Sequence, residues 1–85
     1  METPWKVIGY ENWTSEKGEP CVRLYVVRPL HLAEGAEGKG FETQRLFYKP
    51  QYVKYEPQIN HLIIATEGRY PGSIGQIFVV GSDNG

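Results

Sequence analysis

Cys21, His31 and His61 are the side chains of this sequence most easily put to catalytic use. A thiol beside an imidazole makes a nucleophile and its base, and the same three groups could hold zinc. No local signature surrounds either pair, and spacings of 10 and 30 residues match no ligand pattern. They read as a half-buried thiol and two ordinary histidines. Paired carboxylates of the glycosidase kind would have to face one cleft, whereas the acids here fall mostly in loop-type stretches where water solvates them. Gly68, Gly72 and Gly75 form a glycine-rich stretch, but no Lys-Ser or Lys-Thr follows, as a phosphate loop requires. The expectation is a non-enzymatic protein without metal, cofactor or small-molecule substrate.

Recognition of single-stranded nucleic acid needs other parts: rings on which bases stack, and cations that track phosphates. Arg23 and Tyr25 share one parity of the run 20–28, and Arg45, Phe47 and Lys49 share one parity of the run 41–49. With the odd-numbered face of both runs outward, adjacent strands present three cations and two aromatics on one surface. In the alternative, Tyr25 and Phe47 fill the core and the cations are a solvated face. Tyr70 stands at a turn, and a large aromatic exposed there calls for a partner, either a base or a second subunit.

Charge follows the same segments. The chain of 85 residues carries a net charge of −1, which argues against coating nucleic acid by bulk charge alone. Residues 20–29 nevertheless sum to +2 from Arg23 and Arg28, and residues 39–54 to +3 from Lys39, Arg45, Lys49 and Lys54 against Glu42. These stretches also hold Tyr25, Phe41, Phe47, Tyr48 and Tyr52, with Tyr55 adjoining.

The elements that must position these residues are short. Ten glycines and six prolines fall between runs rich in Val, Ile, Tyr, Phe and Thr, the punctuation of an all-β chain. The first run, 5–11, leads to a hairpin tip at 16–19 in which Gly18 is free to take positive φ. In the second, Val22, Leu24 and Val26 line one face and Cys21, Arg23, Tyr25 and Val27 the other. Residues 30–40 are interrupted by Gly35, Gly38 and Gly40 and read as a mobile loop. Pro50 and Pro57 bracket a crossing segment or a single helical turn. The run 59–67 is apolar on both parities, as in a strand covered on both faces, and the last run is 74–80. Five strands in one domain, residues 1–81 with a flexible tail at 82–85, fit a five-stranded antiparallel OB-like Greek-key barrel with long hairpin loops.

The order of these features resembles the single-stranded-DNA-binding proteins of filamentous phages and related small proteins of mobile elements. The likeness rests on Ser15-Glu16-Lys17-Gly18-Glu19-Pro20 before an amphipathic strand, Tyr55-Glu56-Pro57 before the apolar fourth, and Arg69-Tyr70-Pro71-Gly72-Ser73-Ile74 opening the last. It implies a two-fold homodimer in the cytoplasm of a bacterial host, binding single-stranded DNA, or RNA, cooperatively and without sequence preference. It also implies that Ile63, Arg69, Tyr70 and Ile74 lie at the dimer contact, that Tyr70 reaches DNA bound by the partner, and that Lys17 is the cation of a DNA-binding wing. Glu16 and Glu19 stand where that wing is usually basic, and Cys21 and Arg23 where the family places an aromatic and an aliphatic. The face of Arg23, Tyr25, Arg45, Phe47 and Lys49 is therefore the better nucleic-acid contact.

No run approaches the roughly 18 apolar residues of a membrane helix, and no apolar leader backed by basic residues opens the chain. Both favour an intracellular protein. The competing expectation is a phage-encoded interaction module or inhibitor of a host protein, whose acidic loops at Glu16, Glu19, Glu34 and Glu37 would meet a basic partner.

Overall fold

The structure is a computed structural model that describes residues 3–29 and 40–83. It is all-β, with strands β1 (Trp5–Thr14), β2 (Pro20–Pro29), β3 (Phe41–Tyr48), β4 (His61–Glu67) and β5 (Ile74–Ser82). They form one antiparallel sheet in the order β3-β2-β1-β4-β5. No helix among the described residues is long and apolar enough to cross a membrane.

Alternation along β2 sets the two sides of the sheet. Val22, Leu24 and Val26 point inward and are buried, while Arg23, Tyr25 and Val27 are half-buried on the outer side. Residues directly opposite one another across a ladder share a side, so Tyr48 and Leu46 of β3 face inward with Val22 and Leu24. Val7 joins them opposite Val26, and Trp5 opposite Ile63 brings in β4. Ile74 and Val53 complete the core. Leu24, Ile63, Val7 and Val26 are fully enclosed, each burial contributing about 1.5–3 kcal/mol against an exposed side chain.

On β1 the inward parity changes partway. Val7 pairs with Val26 and Gly9 with Tyr25, leaving Ile8 as an extra residue, a β-bulge. Before it the odd residues Trp5 and Val7 face the core; after it Gly9, Glu11 and Trp13 lie on the outward side opposite Tyr25, Arg23 and Cys21, of which Cys21 is itself buried. Gly75 and Val80 are the corresponding extra residues on β5. At Gly75 no side chain fits, because a Cβ would lie 2.7 Å from the carbonyl oxygen of Glu67.

The sheet is not closed. Its ends meet at one parallel bridge, Phe47 with Ser73, where the Phe47 N–H donates to the Gly72 carbonyl at 3.1 Å. Between β3 and β4 a single turn, with the N–H groups of Tyr52 and Val53 both donating to the Lys49 carbonyl, drops Val53 into the core. Tyr48 donates its hydroxyl to the Tyr55 carbonyl at 2.8 Å, and burial pushes its pKa up to about 12.

Several boundaries move from those expected. The first strand continues to Thr14, because Asn12, Trp13 and Thr14 pair with Val22, Cys21 and Pro20 around the turn at 15–19. Gly18 takes its positive φ there, 78°. The fourth strand starts only at His61, since Asn60 turns the chain at φ 71° and donates its N–H to the Val7 carbonyl. Pairing of β5 extends through Ser82, and Asp83 is fastened by its N–H to the Asn60 carbonyl and by its carboxylate to Lys6 at 3.3 Å. The expected tail at 82–85 is thus paired at its first two residues. The loop expected at 30–40 falls, apart from Gly40, outside the described residues, as do His31, Glu34, Glu37 and Lys39.

Candidate functional site

The outward sides of β1, β2 and β3 make a continuous surface whose rows can be read from the pairing. Glu11, Arg23 and Phe47 form one row, and Gly9, Tyr25 and Arg45 the next. Trp13 and Cys21 lie beyond Glu11 and Arg23. With strands about 4.8 Å apart, the surface is two strand spacings wide from Glu11 to Phe47.

The Tyr25 ring lies across β1 over Gly9. A Cβ on Gly9 would stand 3.7 Å from Tyr25 Cδ2, so the ring occupies the space above the glycine. From there the Tyr25 hydroxyl donates to Glu11 Oε1 at 2.6 Å. Arg23 Nη1 donates to the same oxygen at 3.0 Å, and its guanidinium lies 5.0 Å from the centre of the Trp13 ring, within cation–π range. The Tyr25 hydrogen bond, and after it the charge of Arg23, hold the Glu11 carboxyl below its ordinary value.

Across the surface, Lys49 is paired with Glu19 from the end of the first hairpin, and that hydrogen bond holds the Glu19 carboxyl down. Arg45 is exposed and has no carboxylate within ion-pair distance among the described residues. Arg28 belongs to the opposite side, where it pairs with Glu42 and stacks 4.2 Å from the Trp5 ring centre.

The hairpin between β4 and β5 rests on the far edge of this surface. Gly72 takes φ 80°, and a Cβ there would lie 3.5 Å from the Phe47 ring. Ser73 holds the turn by accepting from the Tyr70 N–H at 3.0 Å, and Gly68 donates to the Ser73 carbonyl. Tyr70 is left exposed at the tip, beside Arg69.

The structure therefore brings Arg23, Tyr25, Arg45, Phe47 and Lys49 onto one surface, with the Tyr70 hairpin at its border. Lys17 stands exposed on the tip of the first hairpin. Ile63 and Ile74 are a correction: both are in the protein's own core, Ile63 fully enclosed, so neither side chain is offered to a partner subunit. Their inward parity opposite Trp5 and beside Leu46 and Val7 accounts for this. Two residues of the surface went unforeseen. Trp13 lay beyond the expected end of the first strand, although a tryptophan followed by threonine is itself a β-prone pair. Glu11 was counted only as charge.

Chemically the surface offers three exposed or half-exposed rings, two guanidiniums, an ammonium and two carboxylates. No group of three or more His, Cys, Asp or Glu side chains gathers around a point among the described residues. No family model matches the chain, and no curated protein or solved structure is similar enough to assign it to a family.

Proposed function

We propose that the protein binds single-stranded nucleic acid, without catalysis, on the outward side of β1, β2 and β3. The observation that carries this reading is the placement of Trp13, Tyr25 and Phe47 on one surface with Arg23, Arg45 and Lys49. Rings spaced along adjacent strands give bases a stacking platform, and stacking is tolerant of sequence because every base has a π-face.

The chain path supports the same reading. β1 pairs with both β2 and β4, and β3 meets the start of β5 in parallel, the connectivity of an OB-like Greek-key barrel with one open seam. Grooves of that kind run over the second and third strands between the first and the fourth hairpins. Here those hairpins carry Lys17 and Tyr70. The likeness to filamentous-phage single-strand-binding proteins adds the expectation of a cytoplasmic homodimer that coats replicating strands, with Arg69 and Tyr70 left as its exposed dimer residues.

Affinity rests more on stacking than on charge, because Glu11 and Glu19 already occupy Arg23 and Lys49. Each neutralised phosphate contributes a slope of about −0.7 in log K against log salt for single strands. Among the described residues, Arg45 on the strands and Lys17 at the hairpin tip are the cations of this surface outside an ion pair, so one or two neutralised phosphates give an expected slope of about −0.7 to −1.4. The test is fluorescence titration with an oligonucleotide of about 20 thymidines at low and moderate salt, beside a duplex. Trp13 is exposed and Trp5 buried, so quenching should vanish in Trp13→Phe while an anisotropy readout still reports binding. Equal affinity for duplex and single strand, or none for either, sinks the proposal.

The same ion pairs favour a second reading, a protein-interaction module. A surface of paired Glu, Arg, Lys, Tyr and Trp side chains also suits a polar protein partner. Salt-insensitive binding of a host protein, with no oligonucleotide binding, would select it.

A further inference from the structure

A carboxylate in the middle of a phosphate-binding surface is unfavourable unless it has a task. Glu11 is half-exposed on the outward side of β1, beside Trp13 and under the hydroxyl of Tyr25. Both donors that hold it, Tyr25 at 2.6 Å and Arg23 at 3.0 Å, are on Oε1. Oε2 has no protein donor among the described residues. The side chain is thus fixed by two contacts at one oxygen and presents the other as an acceptor. It does so next to the rings on which bases would lie.

The phosphates of a bound strand have no reason to approach this point. Of the cations on these three strands' outward side, Arg45 has no ion pair among the described residues; it is on β3, one strand beyond β2, and Lys49 follows it along the same edge. A strand laid with its phosphates along β3 sends its bases inward over Phe47 and Tyr25 toward β1. Their Watson–Crick edges then meet Glu11. Each base presents a different edge to a carboxylate. Guanine offers two adjacent donors, N1–H and N2–H, whereas thymine offers one N–H between two carbonyl oxygens that a carboxylate repels. Adenine and cytosine each present an amino donor beside a ring-nitrogen acceptor.

We propose that Glu11 is a specificity-determining residue that reads the Watson–Crick edge of guanine, superimposing a guanine preference on the sequence-tolerant stacking of the surface. The inference rests on the single-strand reading above. Because Oε1 already accepts from Tyr25 and Arg23, Oε2 alone faces the base and accepts from both N1–H and N2–H. Hypoxanthine can make that contact at one point only, which discriminates by about five-fold, the low end of a two-point contact.

The experiment compares two oligonucleotides of the repeat thymine-thymine-guanine and thymine-thymine-hypoxanthine. Hypoxanthine keeps the ring and N1–H of guanine and lacks only the 2-amino group, and backbone charge is identical. Binding is followed by anisotropy for the natural protein and for Glu11→Gln, whose fold is checked by circular dichroism. The natural protein should favour the guanine strand by about five-fold or more. In Glu11→Gln that ratio should fall toward one, even as overall affinity rises because Arg23 is freed. Taking the ratio cancels the general gain from removing a negative charge. Tight binding of both strands with a ratio near one in the natural protein overturns the guanine reading and leaves the single-strand reading standing. A ratio unchanged in Glu11→Gln also overturns it. Binding of neither strand overturns both.

Discussion

Two regions of the sheet expose aromatic and aliphatic side chains, and they differ in everything else. On the outward side of β1, β2 and β3, Trp13 is 37% exposed and Phe47 39%, each set among guanidiniums, carboxylates and a phenol that fix one another. On β5, Phe78 and Val80 are more exposed, 51% and 57%, yet from residue 70 to residue 82 the chain carries no charged side chain. Apolar exposure alone would rank β5 first. The polar contacts reverse the order, because a recognition surface needs donors and acceptors held in position as well as apolar area to cover. Beneath both regions lies the same core, so a change in the core should disturb them together and a change on either surface should not.

The largest effect is expected beneath the first region. Leu24→Ala empties a fully enclosed site and should lower stability by about 2–5 kcal/mol. Phe78→Ala, on the exposed strand, should move it by far less; similar losses for the two in urea unfolding would contradict the burial described. Next, Phe47→Ala should weaken oligonucleotide binding by about 1–3 kcal/mol while Phe78→Ala leaves it unchanged. Equal effects from the two rings would erase the distinction between the regions.

A smaller effect belongs to Tyr48, whose phenol is buried under the first region. Tyr48→Phe leaves the Tyr55 carbonyl without its donor and should cost about 1 kcal/mol. The folded pKa of about 12 lies above the ordinary 10.0, so this stability is complete below pH 10 and is lost as pH rises toward 12. Ultraviolet titration should show one phenol ionising last; simultaneous ionisation of all six tyrosines would refute it. The smallest change is in Tyr25→Phe. Loss of the largest hydrogen bond to Glu11 should return that carboxyl toward the ordinary 4.5. A depressed carboxyl stabilises the folded form above its unfolded value, and that contribution disappears as pH falls through the folded one. Carboxyl NMR of Glu11 in the two proteins measures the shift, and identical midpoints would show that Tyr25 does not hold it.

How much of this is legible in the sequence differs from strand to strand. β2 is legible because Val22, Leu24 and Val26 alternate strictly with Arg23, Tyr25 and Val27, and β3 because its ladder with β2 is unbroken. The surface of Arg23, Tyr25, Arg45, Phe47 and Lys49 follows from those two strands. β1 is not legible, because one extra residue at Ile8 reverses the side of everything after it without any change in composition. Glu11 and Trp13 come to stand beside Arg23 only through that extra residue. Ile63 and Ile74 were set at a dimer contact by family likeness, and the pairing of Trp5 with Ile63 instead locks the first of them inside. On β4 both parities are apolar, so no pattern within the strand could say which side meets the core.

The bulge at Ile8 also gives the molecule a reading frame. Taking this one residue into the ladder would restore regular alternation and exchange the two sides of β1 from Gly9 to Thr14, moving Glu11 and Trp13 to the side of Leu24 and Val22, and Tyr10 and Asn12, exposed on that side now, to the side of Tyr25 and Arg23. That register parts Glu11 from Tyr25 and Arg23, and Trp13 from the Arg23 guanidinium, and so dissolves the contacts that hold the outward surface in position. The hairpin can therefore gain or lose residues at its tip, around Gly18, with little consequence, whereas at position 8 a single-residue slip acts as a frameshift in the folded chain. Length variation among proteins of this design should be tolerated at the first place and absent from the second.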